Sequence, residues 1–156
     1  MIRLSVGLED TSDLIKDIDN SFNRVFRGKK WKKKILINVE PTYLEEHSDP
    51  FEDSYLWAYK VIIKNNSEQT VKLISRHWKI FDSNGNYREV KGKGVVGEQP
   101  VLEPGEEFEY TSGTPLKTTS GMMHGSYLMQ NFEGEEFEVN IPPFSLDIPD
   151  RNKTLN

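Results

Sequence analysis

The chain contains no cysteine among its 156 residues. That excludes disulfide staples, a thiol nucleophile and thiolate-bound metal. No run approaches the roughly 20 consecutive apolar residues that a membrane helix requires, so no membrane insertion is expected. The opening "MIRLSVGLED" lacks the basic start and apolar centre of a secretory signal. These features together fit a cytoplasmic protein. Histidine is scarce: His47, His77 and His124 stand far apart with no close-ligand spacing. No G-x-S-x-G elbow is present, and no spacing ties a serine or aspartate to a histidine, so no catalytic residue is assigned. From residue 34 onward convincing helical periodicity is also missing.

What is present divides in two. Residues 1–34 hold nine Lys/Arg against five Asp/Glu, a balance of +4, and the remainder holds eleven against twenty, a balance of −9. An acidic body is a poor general binder of nucleic acid. The exception is the basic run Arg27–Lys34, "RGKKWKKK", which reads first as a solvated linker. It could also meet phosphate through its lysines and stack a base on Trp31. Within residues 1–30, "IRLSVG" alternates like a short strand. "EDTSDLIKDIDNSFNRVF" follows with Leu14, Ile18, Phe22 and Val25 along one helical stripe, capped by Asp10 and stopped by Gly28. A helical extension of about 30 residues is therefore expected before the main domain, taken as residues 31–150, with a tail at 151–156.

In the main domain the period changes to two. "ILINVEPTY" alternates Ile35, Ile37 and Val39. "SYLWAYKVIIKN" puts Tyr55, Trp57, Tyr59, Val61 and Ile63 on one face. "TVKLISRHWKIFD" and "NYREVKGKG" flank a hairpin turn at "SNGN", and "EEFEYTSG", "GSYLMQNF", "EEFEVNI" and "FSLDI" complete the set. Short strands separated by turn signals predict an all-β sandwich or barrel.

One motif looks functional. Gly92, Gly94 and Gly97 spell G-x-G-x-x-G, flanked by Lys91 and Lys93. A dinucleotide fingerprint needs a helix to open at the last glycine, so that unpaired amides and the helix dipole meet the pyrophosphate. Here "EQPVLEPGEEF" follows, with two prolines and no helical repeat. A bent strand connection is the leading expectation. A loop whose amides hold a phosphate, aided by Lys91 and Lys93, is the alternative. For metal, "EPGEEFE" offers Glu103, Glu106, Glu107 and Glu109, and "EGEEFE" offers Glu133, Glu135, Glu136 and Glu138. Their alternation with Phe108 and Phe137 reads as solvated outer faces, and no metal site is assigned. Met122, Met123 and Met129 suit either a partner surface or gaps in the core.

Two resemblances add to this reading. "IRLSVGLEDTSDLIKDID", about residues 2–20, resembles the carboxyl-terminal strand and helix of the Cys/Met-metabolism pyridoxal-phosphate enzymes, the group of cystathionine lyases, cystathionine synthases and homoserine sulfhydrylases. In that family the arginine matching Arg3 binds the substrate carboxylate. This chain has no room for the large cofactor domain, so no cofactor is expected. Residues 1–30 then read as the tail of an upstream enzyme, joined through a mis-called start or a split fusion, or else as a native extension. "SRHWKIFDSNG", "VKGKGVVGEQPVLEPGEEFEYTSG" and "GMMHGSYLMQNFEGEEFEVNIPPFSLDIP" resemble the bacterial ApaG family over about residues 33–150. This implies a fibronectin type III-like, immunoglobulin-like sandwich of about 7–8 strands. It further implies a non-enzymatic protein-interaction module with an unknown protein partner, linked to cobalt and magnesium resistance or efflux. A nucleotide- or pyrophosphate-binding protein and a direct cobalt or magnesium binder are the competing readings.

Overall fold

The structure is a computed structural model that describes residues 34–149. The helix expected before residue 30, the pyridoxal-enzyme-like segment and all but the last residue of the basic run lie outside the described residues.

Among the described residues eight strands follow one another: β1 (Ile35–Tyr43), β2 (Tyr55–Asn65), β3 (Val71–Asp82), β4 (Tyr87–Lys93), β5 (Val101–Leu102), β6 (Glu107–Leu116), β7 (Ser120–Asn131) and β8 (Glu136–Asp147). Two single-turn 3-10 helices, Glu45–His47 and Pro50–Glu52, lie between β1 and β2. All pairing is antiparallel. One sheet has the order β1-β2-β6 and the other β4-β3-β7-β8, with β5 also pairing β3. The two sheets face each other as a sandwich, and their inner faces make one core.

Period-two patterning explains the packing. The five β2 residues expected on one face are all buried, and the intervening positions are half-exposed. Trp57 and Trp78 are each 1% exposed, so each sheet contributes one indole to the centre. Trp78 packs edge-on against Tyr59, Tyr127 and Phe144, with ring centroids 5.2, 6.3 and 5.9 Å away. Such offset contacts suit the ring quadrupoles better than stacked sandwiches. At the crossover from β2 to β3, buried Asn65 donates through Nδ2 to the carbonyls of Gln69 and Leu102, and its Oδ1 accepts from the Ser67 amide and hydroxyl. A buried amide with these partners fixes where the chain changes sheets.

Two irregularities matter. The β3–β7 register shifts between Leu73 and Ser75. The shift reverses which residues face inward, so Val71 and Leu73 are followed on the inner side by Arg76, Trp78 and Ile80. The second corrects the sequence reading, which broke the last strand into "EEFEVNI" and "FSLDI". They form one strand, β8, running through Pro142 and Pro143. The register shifts there, with Met123 opposite Phe144 and Gly125 opposite Ile141. Two prolines thus lie against the single residue His124 in a bulge on an edge strand, where their missing N–H groups break no ladder.

Candidate functional site

The glycine motif lies along the β4 edge of β3. Gly92 is within β4, and no helix opens at Gly97. Residues 95–98 instead form a tight hairpin. Val95 N donates to Glu98 O at 2.8 Å, and Glu98 N returns to Val95 O at 2.9 Å. The two turn residues, Val96 (φ 44°) and Gly97 (φ 80°), both have positive φ, as a type I′ turn demands. The excursion docks on the β3 irregularity, where the Ile74 carbonyl accepts from both Gly94 N and Gln99 Nε2 at 2.8 Å. The amides of Gly94, Val95 and Glu98 are therefore engaged within the protein. Lys91 and Lys93 pair with His77 and Ser75 on the outer face, whereas Gly92 lies inward opposite Arg76.

Gly92 makes room for a guanidinium. A Cβ on Gly92 would sit 2.7 Å from Arg76 Nη1 and 2.9 Å from its Cζ. Nη1 donates to the Gly94 carbonyl at 2.9 Å and to that of Lys93 at 3.3 Å. Farther along β4, Arg88 Nη2 reaches across to β6, donating to Thr114 Oγ1 at 2.8 Å and to the Pro115 carbonyl at 3.3 Å. The two arginines stand four positions apart along the β3–β4 pairing, Arg76 opposite Gly92 and Arg88 opposite Ile80.

Behind them lies a cluster of phenols. The Tyr110 and Tyr127 hydroxyls bond to each other, and Ser112 is the partner of Tyr59. Burial pushes all three phenols above the ordinary range, while the positive charge of Arg76 opposes that rise at each. The sequence reading passed over Arg76. The available signal was its position two residues before Trp78 and four before Ile80, in register with the buried face.

A second feature occupies the outer face of the larger sheet. Phe81 on β3 pairs with Tyr87 on β4 and with Met122 on β7. The Phe81 and Tyr87 rings are 4.9 Å apart, and His124 stacks on Phe81 at 5.7 Å and 8°. Tyr87 and Met122 are 47% and 43% exposed, which makes an aromatic strip open to solvent across three strands. Of the three methionines singled out in the sequence, Met123 and Met129 belong to the core and only Met122 reaches this surface. The Tyr87 hydroxyl donates to Glu89, pushing the phenol up to about 12 and holding the carboxylate below its usual range.

The topology also brings His77 and His124, distant in sequence, onto this same face, with His77 Nε2 lying 3.6 Å from Glu89 Oε1. His47 is exposed in the loop between β1 and β2. Among the described residues no three His, Asp or Glu converge as metal ligands. Glu107 and Glu109 share the outer face of β6, where they pair with Lys64 at 3.6 Å and Lys60 at 3.1 Å. Glu136 and Glu138 share the exposed face of β8.

At one end of the sandwich a cavity of about 490 Å³ is lined by Arg88, Lys117, Glu52, Asp53, Ile80 and Leu116, among others. No helix among the described residues is long and apolar enough to cross a membrane.

Comparison with known proteins matches this architecture. The ApaG domain model matches residues 45–131. Protein ApaG of Brucella anthropi is 58% identical over 122 residues, covering 78% of this chain and 94% of the relative. Protein ApaG of Parvibaculum lavamentivorans is 57% identical over 124 residues, covering 80% and 95%. A crystal structure of a Bordetella pertussis protein described as ApaA superposes with a TM-score of 0.72 at 47% identity, covering 74% of this chain and 94% of that one. The X-ray structure of a structural-genomics target gives 0.73 at 43% identity, covering 77% and 91%. By the domain match and by sequence identity over most of its length, this chain belongs to the ApaG family.

Proposed function

We propose that this chain is a non-enzymatic interaction module of the cytoplasm, built as a fibronectin type III-like sandwich, that binds a protein partner through the outer face of its larger sheet. The strand order supports the fold assignment, since a β1-β2-β6 sheet over a β4-β3-β7-β8 sheet has the three-over-four arrangement of such sandwiches. The observation that carries the function is the strip formed by Tyr87, Phe81 and Met122, with His124 stacked beside it. Contiguous apolar groups left in water on a flat sheet face, rimmed by Lys79, Glu89 and Lys91, have the anatomy of a recognition surface. Any role in cobalt or magnesium resistance would on this reading run through the partner.

The test places a photo-crosslinking amino acid at position 87 in the native cell. A discrete adduct is expected, and it should vanish when Phe81→Ser and Met122→Lys are added. A crosslinker at Leu36, exposed on the opposite sheet, should yield no such adduct. Identical products from positions 87 and 36 would refute the assignment.

A further inference from the structure

The two sheets treat their outward lysines differently. On the smaller sheet Lys60 meets Glu109 at 3.1 Å and Lys64 meets Glu107 at 3.6 Å. On the larger sheet Lys91 stands opposite His77 and Lys93 opposite Ser75, so neither faces a carboxylate across the ladder. Both are exposed, and neither forms an ion pair among the described residues. Glu89, the single carboxylate of β4, is already engaged: it faces Lys79 across the ladder, accepts from the Tyr87 hydroxyl and lies beside His77. These unmatched lysines sit on a body whose residues 35–156 carry −9. At the far edge of the same face the sign reverses, where Glu136 and Glu138 are exposed on β8. The register sets the groups in rungs two residues apart. Tyr87, Phe81 and Met122 share one rung, Glu89 and Lys79 the next, and Lys91 and Lys93 head the third and fourth. At about 3.4 Å per residue, Lys91 and Lys93 lie roughly 14 and 20 Å along β4 from Tyr87.

We infer that the partner presents to this face an extended acidic segment of a protein. An aromatic or aliphatic anchor lies on the strip of Tyr87, Phe81 and Met122, and Asp or Glu four and six residues away lie over Lys91 and Lys93. Alternate residues of an extended chain face the same way at the same rise, so these three positions fall on the three rungs. The position between them meets Glu89 and Lys79, which offset each other. The inference names the partner's chemistry and rests on the reading of the strip as a partner surface. A nucleic acid fits less well, because its evenly spaced phosphates would also fall on Glu89. Exposed ion pairs add little affinity and mainly set partner choice, direction and on-rate. Lysines on an edge strand also deter stray strand pairing. That role accepts charge of either sign, whereas docking of an acidic segment needs positive charge.

The experiment places the photo-crosslinking residue at position 87 and, separately, at position 75 opposite Lys93, in the full chain in the native cell. Mass spectrometry then reads the sequence of the trapped peptides. Both positions should trap one segment of one protein, at sites about six residues apart, with acidic residues outnumbering basic ones between them. Lys91→Glu/Lys93→Glu should cut the position-87 adduct by at least about fivefold, and Lys91→Arg/Lys93→Arg should keep it. A synthetic copy of the trapped segment should bind the full chain. Its version with Asn and Gln in place of Asp and Glu should bind at least about fivefold more weakly, and added salt should narrow that difference. An undiminished adduct in the reversed-charge variant, a trapped segment richer in basic residues, or equal affinity of the neutral peptide would overturn the acidic segment and leave the strip a partner surface. A ribonuclease-sensitive adduct, or none at position 87, would overturn both.

Discussion

The Arg76 guanidinium fills the space that a side chain at position 92 would need, and the carbonyls of Lys93 and Gly94 hold it there. Gly92→Ala therefore displaces the far end of a flexible side chain, which relieves the clash at the expense of those bonds. We expect it to cost about 0.5–1.5 kcal/mol, the net worth of a lost hydrogen bond. Combined with Arg76→Ala, the cost should fall short of the sum of the two single changes by at least about 0.5 kcal/mol. Urea denaturation of the four proteins measures this, and strict additivity would show that the two residues are independent.

The hairpin tip sets a second expectation. Val96 is β-branched and yet adopts φ 44°, beside Gly97 at φ 80°. Val96→Asn should stabilise the protein by about 0.5–1 kcal/mol, because asparagine tolerates the left-handed region. Gly97→Ala should destabilise it by about 1 kcal/mol. Gly94→Ala should exceed both, since its Cβ would lie 2.3 Å from the Glu98 carbonyl oxygen, where backbone rather than a pliable side chain must move. Thermal melts of the three variants test the ranking.

The buried phenols predict a response to alkali. Burial raises Tyr59, Tyr110 and Tyr127 above the ordinary 10.0, and the bond to Glu89 raises Tyr87 to about 12. A group whose folded pKa is raised contributes stability that is complete below the unfolded value and is lost as pH rises toward the folded one. Stability should therefore hold up to about pH 10 and decline above it. Absorbance at the tyrosinate band should show these phenols ionising together with unfolding. Tyr127→Phe, which leaves the Tyr110 hydroxyl without its partner, should cost about 1–3 kcal/mol at neutral pH.

The β3–β4 turn gives the acid counterpart. The Asp82 carboxylate accepts from Asn86 Nδ2 and from the amides of Asn84 and Asn86, and these bonds hold its pKa below 3.8. Its contribution is present above the unfolded value and is lost as pH falls through the folded one. Carboxyl-carbon NMR should find the Asp82 midpoint below 3.8. Asn86→Ala, which removes the largest cause, should move that midpoint upward.

Most of the fold was legible because half-buried strands write their burial directly into alternation. The β2 face of Tyr55, Trp57, Tyr59, Val61 and Ile63 is the clearest case. The bent connection at the glycines followed from the two prolines that deny Gly97 a helix. The continuity of β8 was hidden because two prolines ordinarily end a strand, and only their position opposite His124 makes them harmless. The strip of Phe81, Tyr87 and Met122 was hidden too, since strand pairing assembles it from three separate segments.

The sequence alone determined that the described residues are all-β, where most of their strands run and which β2 residues are buried, because each of these depends on near neighbours and on a period of two. Tertiary pairing decided what Arg76 meets there. Its side follows from alternation with Trp78 and Ile80, but only the strand register sets it against a glycine sixteen positions further along. Which residue stands opposite depends on hydrogen bonds between strands, which local alternation does not record.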